Sequence, residues 1–351
     1  MLLVANAFCG GAERMTILYG KIFEKAGHEV EILFLKNSQQ KANELLPFVP
    51  TNWKAYTINC RYSLQFLSMA SFLIWHKQDY IFSSMGKTYA NILKLKKRGL
   101  IQSEVIVRCN NMPSFLDGRW NTKKILTPLY PLASSIIAQT QEMKKEMMQY
   151  YDLKDEDITV INNPIDTDLI REKIKENYPF NKSYRNYVAI GRITPQKDYV
   201  TMLRAFDLVH KTDPKTRLYI LGHYNESDPH YQSLHSIIKD SNIDDCVFFE
   251  GQQSNPFKYL KNADCFCLSS EIEGLPNVML EAMYLGVPVA ITESIPFIKQ
   301  TVVNGRNGYT CPIHDFKAFA DCMINACKIK GLPIYADATQ SENKVIQLIK
   351  K

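Results

Sequence analysis

Short apolar runs alternating with helical patterns along the whole chain predict an α/β protein: two Rossmann-like domains facing across a cleft. Three observations carry this reading. The chain has 351 residues, and domains usually run ~100–200 residues, so two are expected. Its composition, 46% hydrophobic and 22% charged, is ordinary for globular proteins and supplies material for two cores. The strand-then-helix alternation comes in two successive series, and such alternation builds parallel sheets wrapped by helices. We assign the first domain to residues 1–170 and the second to 171–334, with a C-terminal helix at about 335–351 packing back on the first.

The elements follow in order. Leu2 to Ala5 is a strand. Met15, Leu18, Tyr19, Ile22, Phe23 and Ala26 then recur at helical spacing, and Gly27 suits the helix stop. Val30–Leu35, Tyr80–Phe82, Val105–Arg108, Ser135–Ala138 and Ile158–Ile161 read as further strands with helices between them. Ser63 to His76 fits a buried helix, and the polar run Glu172 to Asn186 reads as the passage between domains. A second series follows at Tyr187–Ile190, Leu218–Leu221, Val247–Phe249, Cys265–Leu268 and Val289–Ile291. In open parallel sheets, ligands bind beyond the carboxyl ends of the strands.

Several classes are disfavoured. No run reaches ~18 uninterrupted apolar residues, so no membrane span is expected, and no basic-then-apolar leader is visible, which points to the cytoplasm. The first strand starts close to residue 1, so a start further upstream is expected. Nine cysteines, an odd number without a Cys-x-x-Cys, read as buried thiols. Cys265 and Cys267 are two apart on a strand and share a face. The net charge is +6, but residues 1–130 carry 17 Lys/Arg against 8 Asp/Glu, a balance of +9, which leaves −3 for the rest. The clusters Lys94, Lys96, Lys97, Arg98 and Arg119, Lys123, Lys124 around Trp120 suit docking on an anionic membrane surface, at the inner face of the membrane. Without interleaved aromatics or a reading module, they do not indicate nucleic acid.

Three segments carry chemistry. Glu273-Gly-Leu-Pro-Asn-Val-Met-Leu-Glu281 follows a strand and opens a helix, with Pro276 in its first turn. A helix start favours an anion, and a carboxylate can accept bonds from vicinal hydroxyls. Gly191-Arg-Ile-Thr-Pro-Gln-Lys197 also follows a strand; Arg192 offers a planar fork and Lys197 a point charge to phosphate oxygens. Gly10-Gly-Ala-Glu-Arg14 sits between the first strand and helix, where paired glycines allow close approach of a ligand. It is not Gly-x-Gly-x-x-Gly, so a dinucleotide cofactor is not expected.

Together these segments resemble the family 4 retaining glycosyltransferases of GT-B fold, similar to bacterial polysaccharide and glycolipid assembly enzymes. Ala26-Gly-His-Glu-Val30, Val160-Ile-Asn-Asn-Pro-Ile-Asp166, Asn262-Ala-Asp264, Ala282-Met283 and Gly286-Val-Pro288 follow the family in order. The resemblance implies a nucleotide diphosphate-sugar donor, a UDP-sugar on the strength of Gly-Leu-Pro-Asn, and a saccharide or lipid-linked acceptor. It implies that Arg192 and Lys197 bind the diphosphate, that Glu281 holds the ribose, and that Glu273 with Gly274, Leu275, Pro276 and Asn277 meets the transferred sugar. Gly10 and Gly11 would face the donor from the first domain. Arg192, Lys197 and Glu273 are thus the catalytic candidates, with no cofactor and no metal.

The chain departs from the family in one place. Tyr80 to Lys87 lacks the histidine that many members carry after a middle strand, so no general base is assigned; His76 lies before the strand and reads as a surface residue. Asp155-Glu-Asp157 and Asp166-Thr-Asp168 spell Asp-x-Asp, but a carboxylate pair without further ligands is a poor metal site, and Asp166 suits a helix cap. Two alternatives stay open: another enzyme of similar fold (a sugar phosphorylase or nucleotide-sugar epimerase), or a non-enzymatic partner subunit.

Overall fold

A computed structural model describes residues 1–4, 10–37, 45–61, 64–116, 122–178, 180–330, 332 and 338–349. The chain divides into two compact units, Met1–Pro164 with Asp337–Lys351, and Ile165–Ala336.

The first unit runs β1 (Leu2–Val4), α1 (Gly11–Lys25), β2 (Glu31–Asn37), β3 (Lys54–Cys60), α2 (Gln65–Trp75), β4 (Tyr80–Ser83), α3 (Gly86–Lys97), β5 (Glu104–Arg108), α4 (Thr122–Leu126), β6 (Ser135–Ala138), α5 (Gln141–Tyr151) and β7 (Ile158–Val160). All seven strands are parallel, in the order β3-β2-β1-β4-β5-β6-β7. Successive strand residues face opposite sides, and two cores result. Leu3, Leu33 and Val105 pack with Met69, Leu93 and Met143 on one face. Leu2, Phe34 and Ile106 pack with Ile22 and Val345 on the other. Val345 comes from the C-terminal helix, Ala338–Gln347, which lies on α1, where Lys25 pairs with Glu342 (3.6 Å); just past its end, Tyr80 Oη of β4 donates to Ile349 O (3.2 Å).

The second unit runs α6 (Thr167–Lys173), β8 (Arg185–Ile190), α7 (Tyr199–Thr212), β9 (Thr216–Leu221), α8 (Pro229–Asp240), β10 (Val247–Gly251), α9 (Phe257–Leu260), β11 (Cys265–Leu268), α10 (Asn277–Tyr284), β12 (Val289–Thr292), α11 (Pro296–Thr301), β13 (Gly308–Cys311) and α12 (Phe316–Ala326). Its six parallel strands stand in the order β10-β9-β8-β11-β12-β13. Cys265 and Cys267 do share a face, their sulfurs 4.0 Å apart in the core under α7 and α12. Seven cysteines, 109, 246, 265, 267, 311, 322 and 327, are free and buried; the Cys9 position lies outside the described residues.

Several expectations are corrected. Residues 172–186 do not pass between units; they lie inside the second. Asp166 caps α6, accepting from Leu169 N at 3.0 Å, and Asn255 Nδ2 donates to Lys173 O, so α6 belongs to this unit and the chain enters it at Ile165. Helix α2 is not buried throughout. Met69, Ala70 and Leu73 face the core, while Leu64, Leu67, Ile74 and Trp75 are exposed, Trp75 by 81%. His76 is half-buried, stacked on Phe72 at 4.5 Å and bonded to Tyr56 Oη at 3.2 Å. Strands β3 and β13 were not anticipated. Pro276 is the N-cap of α10, one position before the helix.

Candidate functional site

The second sheet reverses direction of growth between β8 and β11, since β9 and β10 lie on one side and β12 and β13 on the other. Loops leaving the carboxyl ends of two such strands diverge and open a crevice, the usual ligand position in this architecture. The two motif loops of this unit lie there: Gly191–Asp198 after β8, and Ser269–Pro276 after β11.

Hydrogen bonds fasten these loops together. Ser269 Oγ donates toward Lys197 O (2.9 Å) and Asp198 O (2.8 Å). Glu271 N donates to Gln196 O (3.0 Å), and Gln196 Nε2 donates to Ile272 O (2.8 Å). Lys197 Nζ then reaches Glu273 Oε1 at 2.5 Å, in a pair whose side chains are 20% and 11% exposed. Partial removal from water strengthens such a charge-assisted bond. Arg192, five residues before Lys197, is exposed and has no ion-pair partner among the described residues. Glu281 lies one turn into α10 and is half-buried; Gly274 is half-buried, Leu275 and Pro276 are buried, and Asn277 opens the helix. Arg192, Lys197 and Glu273 are therefore carried on the two loops that leave β8 and β11, and Glu281 on the helix that follows the second.

The backbone at this point is tightly set. Gly191 N donates to Leu221 O (2.8 Å), and Ile193 N to His223 O (3.0 Å). Gly222 has φ 153°, and a Cβ there would stand 1.9 Å from Gly191 O, so only glycine fits. Tyr199 Oη donates to Gly191 O at 2.9 Å. Burial raises the pKa of this phenol and the charge of Glu273 raises it further, so it stays a donor.

Sequence reasoning missed Gln196, Gly222, Ser269 and a triad behind the loops. His314, in the turn after β13, lies with Nδ1 3.1 Å from Asp198 Oδ2 and Nε2 3.6 Å from Glu271 Oε1. Ligand atoms of these three side chains lie within 4.8 Å of one another, a spacing that metal sites share, but here they contact one another directly. The Asp-x-Asp carboxylates serve other ends. Asp155 pairs with Lys144 (2.9 Å), Asp157 accepts from Lys154 N (2.8 Å), Asp166 caps α6, and Asp168 lies 3.8 Å from Arg171. The glycine that follows β9 was the one readable signal; nothing local marks His314.

In the first unit, Gly10 is the N-cap of α1 and Gly11 its first residue. A Cβ on Gly10 would meet Glu13 Oε2 at 2.3 Å. This sheet reverses between β1 and β4, and beside that point lies Arg108, 1% exposed, at the end of β5. Its guanidinium donates to Asn110 Oδ1 and Asn163 Oδ1 and lies 5.7 Å from the Tyr19 ring centroid, with no carboxylate partner among the described residues. Asn110 Nδ2 in turn donates to Ser84 O (2.5 Å).

Comparison with known proteins agrees with this architecture. Residues 170–341 match the family described as glycosyl transferases group 1, and residues 9–169 match glycosyltransferase family 4. An uncharacterised glycosyltransferase of Methanocaldococcus jannaschii is 34% identical over 196 residues, covering 53% of this chain; the chain spans 47% of that relative's length. The N-acetylgalactosamine-N,N'-diacetylbacillosaminyl-diphospho-undecaprenol 4-alpha-N-acetylgalactosaminyltransferase of Campylobacter jejuni is 25% identical over 270 residues, 76% of this chain and 68% of its own. Among solved structures, Anabaena HepE in complex with UDP and glucose superposes with a TM-score of 0.77 at 17% identity, covering 99% of this chain and 94% of its own. At that identity the likeness speaks for the fold. With two parallel-sheet units matched over nearly their whole length, the chain belongs to glycosyltransferase family 4 and has the GT-B fold.

Proposed function

We propose that the protein transfers a sugar, with retention of anomeric configuration, from a nucleotide diphosphate-sugar to a saccharide or lipid-linked saccharide. The donor in this reading is a UDP-hexose or UDP-N-acetylhexosamine. The observation that carries it is the exposed Arg192 beside the Lys197–Glu273 pair at the β8/β11 reversal. Arg192 and Lys197 bind the diphosphate. As the donor's C1–O bond breaks, charge grows on the departing phosphate, and these two cations offset it. The acceptor hydroxyl forms the new C1–O bond on the same face, and its proton passes to the departing phosphate oxygen. Glu281 holds the ribose hydroxyls, while Glu273 and the backbone from Gly274 to Asn277 orient the sugar. The UDP-bound neighbour and the diphospho-undecaprenol named for the Campylobacter relative support these choices of donor and acceptor.

The test is an assay of UDP-, GDP- and dTDP-sugars with an undecaprenyl-diphosphate-linked saccharide, following nucleotide release and the anomer of the product by NMR. A UDP-sugar should react, an α donor giving an α product. Turnover supported by inorganic phosphate instead of an acceptor, or isomerisation of the donor alone, would replace this reading with a phosphorylase or an epimerase.

The same reading includes docking of the first unit on an anionic membrane surface. Lys97 and Arg98 are exposed at the end of α3, whereas Lys96 is engaged with Ser103 O (3.1 Å) and Glu104 (3.2 Å). Lys123 lies over the Tyr150 ring at 4.9 Å; Arg119 and Trp120 lie outside the described residues. The exposed side of α2 adds an apolar contribution: Leu64, Leu67, Ile74 and Trp75 fall within roughly a third of the helix circumference, and residues 61–77 contain Arg61 and Lys77 but no acid. No helix among the described residues is long and apolar enough to cross a membrane. Sedimentation with anionic vesicles should show binding that falls as salt rises and that drops further in Leu67→Ser/Trp75→Ser. Equal binding to neutral and anionic vesicles would remove the anionic surface from this reading, and no binding to either would remove the membrane.

A further inference from the structure

We infer that His314 is a positioning residue for sugar transfer, strapping together the two loops that carry Lys197 and Glu273. The inference rests on the donor reading of that crevice. His314 arrives from β13, two strands away from β11 in the sheet. Its ring lies between Asp198, the neighbour of Lys197, and Glu271, two residues before Glu273.

The geometry is specific. Asp198 uses both carboxylate oxygens: Oδ1 caps α7 by accepting from Thr201 N (3.1 Å), and Oδ2 accepts from His314 Nδ1 (3.1 Å). A carboxylate accepts only, so the proton of that bond belongs to Nδ1. The Asp198 side chain is 8% exposed, and a buried oxygen that loses its donor is costly. On its other edge, the ring faces Glu271, whose amide is already tied to Gln196. Asp198 and His314 both sit at positive φ, 45° and 63°. Left-handed backbone is uncommon in residues other than glycine and persists where its surroundings enforce it. Here two such residues meet side chain to side chain. The His314 side chain is 57% exposed, so it does not fill a core; its contribution lies in the two contacts.

Loosening the strap lets Lys197 and Glu273 drift relative to each other while Arg192 and Glu281 keep their places. Small misplacements of reacting groups reduce turnover far more than they reduce ground-state binding. The experiment compares wild type, His314→Gly and His314→Asn in steady-state transfer from a UDP-sugar, with thermal unfolding in parallel. Gly accepts the left-handed backbone and removes both contacts; Asn also tolerates that backbone and keeps a donor near the Nδ1 position. We expect His314→Gly to lose about 10- to 100-fold in kcat with its donor KM close to wild type, and its melting temperature to fall by only the few degrees that one unpaired carboxylate oxygen costs. His314→Asn should recover most of the loss. Wild-type kcat in His314→Gly, or an equal loss in both variants, overturns the strap. Failure of the donor reading looks different, because wild type itself would then show no transfer from any UDP-sugar.

Discussion

The two sheets reverse in the same way but equip their reversal points differently. In the second unit, the charged groups lie on loops, ranging from buried Asp198 and Glu273 to the largely exposed His314, and are matched: Lys197 with Glu273, His314 with Asp198 and Glu271. Arg192 is the exposed cation left over. In the first unit, the cation beside the reversal is Arg108, which is fully buried and held by neutral amides and an aromatic ring. Burial pulls the Arg108 pKa down, and Tyr19 offsets part of that. The contrast separates two uses of charge. A cation on a loop, with its carboxylate partners within reach, can exchange partners when an anionic ligand arrives. A cation sunk among Asn110, Asn163 and Tyr19 cannot, and its hydrogen bonds fix the carboxyl ends of β5 and the β7 exit relative to each other.

That contrast can be broken by substitution. The largest effect is expected at the loop cations. Arg192→Ala or Lys197→Ala should raise the barrier to transfer by roughly 2–4 kcal/mol, with the fold unchanged; steady-state kinetics with circular dichroism checks this, and wild-type turnover in either would refute their assignment. Arg108→Met should act on stability instead. Two charge-assisted bonds, to Asn110 and Asn163, vanish, so urea unfolding should report a loss of about 3 kcal/mol. If Arg108→Met were as stable as wild type but failed to transfer sugar, the division of labour drawn here would be wrong. A smaller effect divides the two glutamates of the motif. Glu281→Gln should weaken binding of free UDP by about tenfold, the loss of one good charge-assisted interaction. Glu273→Gln should leave UDP binding near wild type and reduce turnover and sugar discrimination. Normal binding and normal transfer in both would refute the motif reading.

Much of this was legible in the sequence because the signals were local. Glu273 and Glu281 sit eight residues apart on one loop-helix junction, and Gly191, Arg192 and Lys197 on another, so the pattern locates both segments after strands, while the roles proposed for these residues rest on the family resemblance. Central strands such as Cys265–Leu268 announced themselves as continuous apolar runs, since both their faces are covered. The two strands that escaped notice, β3 and β13, each stand at the edge of a sheet. Lys54-Ala-Tyr-Thr-Ile-Asn-Cys60 and Gly308-Tyr-Thr-Cys311 mix polar with apolar residues because an edge is partly solvated, and the strand pattern is diluted there. The Ser63–His76 run was misjudged for the opposite reason. Its apolar content was read as burial, although hydrophobic residues also occupy surfaces. The His314 contact to Asp198 spans 116 positions and left no trace in any window of sequence. Arg108 sat in plain view on a recognised strand, but nothing local tells a buried arginine from an exposed one.

In the proposed reading, the β8/β11 reversal of the second unit binds a nucleoside diphosphate through Arg192 and Lys197. Titration calorimetry of UDP into wild type and into Arg192→Ala/Lys197→Ala tests it most directly. One site per chain is expected in wild type, with at least tenfold weaker binding in the double variant, the equivalent of about 1.4 kcal/mol or more. Equal affinity in the two proteins, or no heat with UDP, GDP or dTDP in wild type, would contradict it.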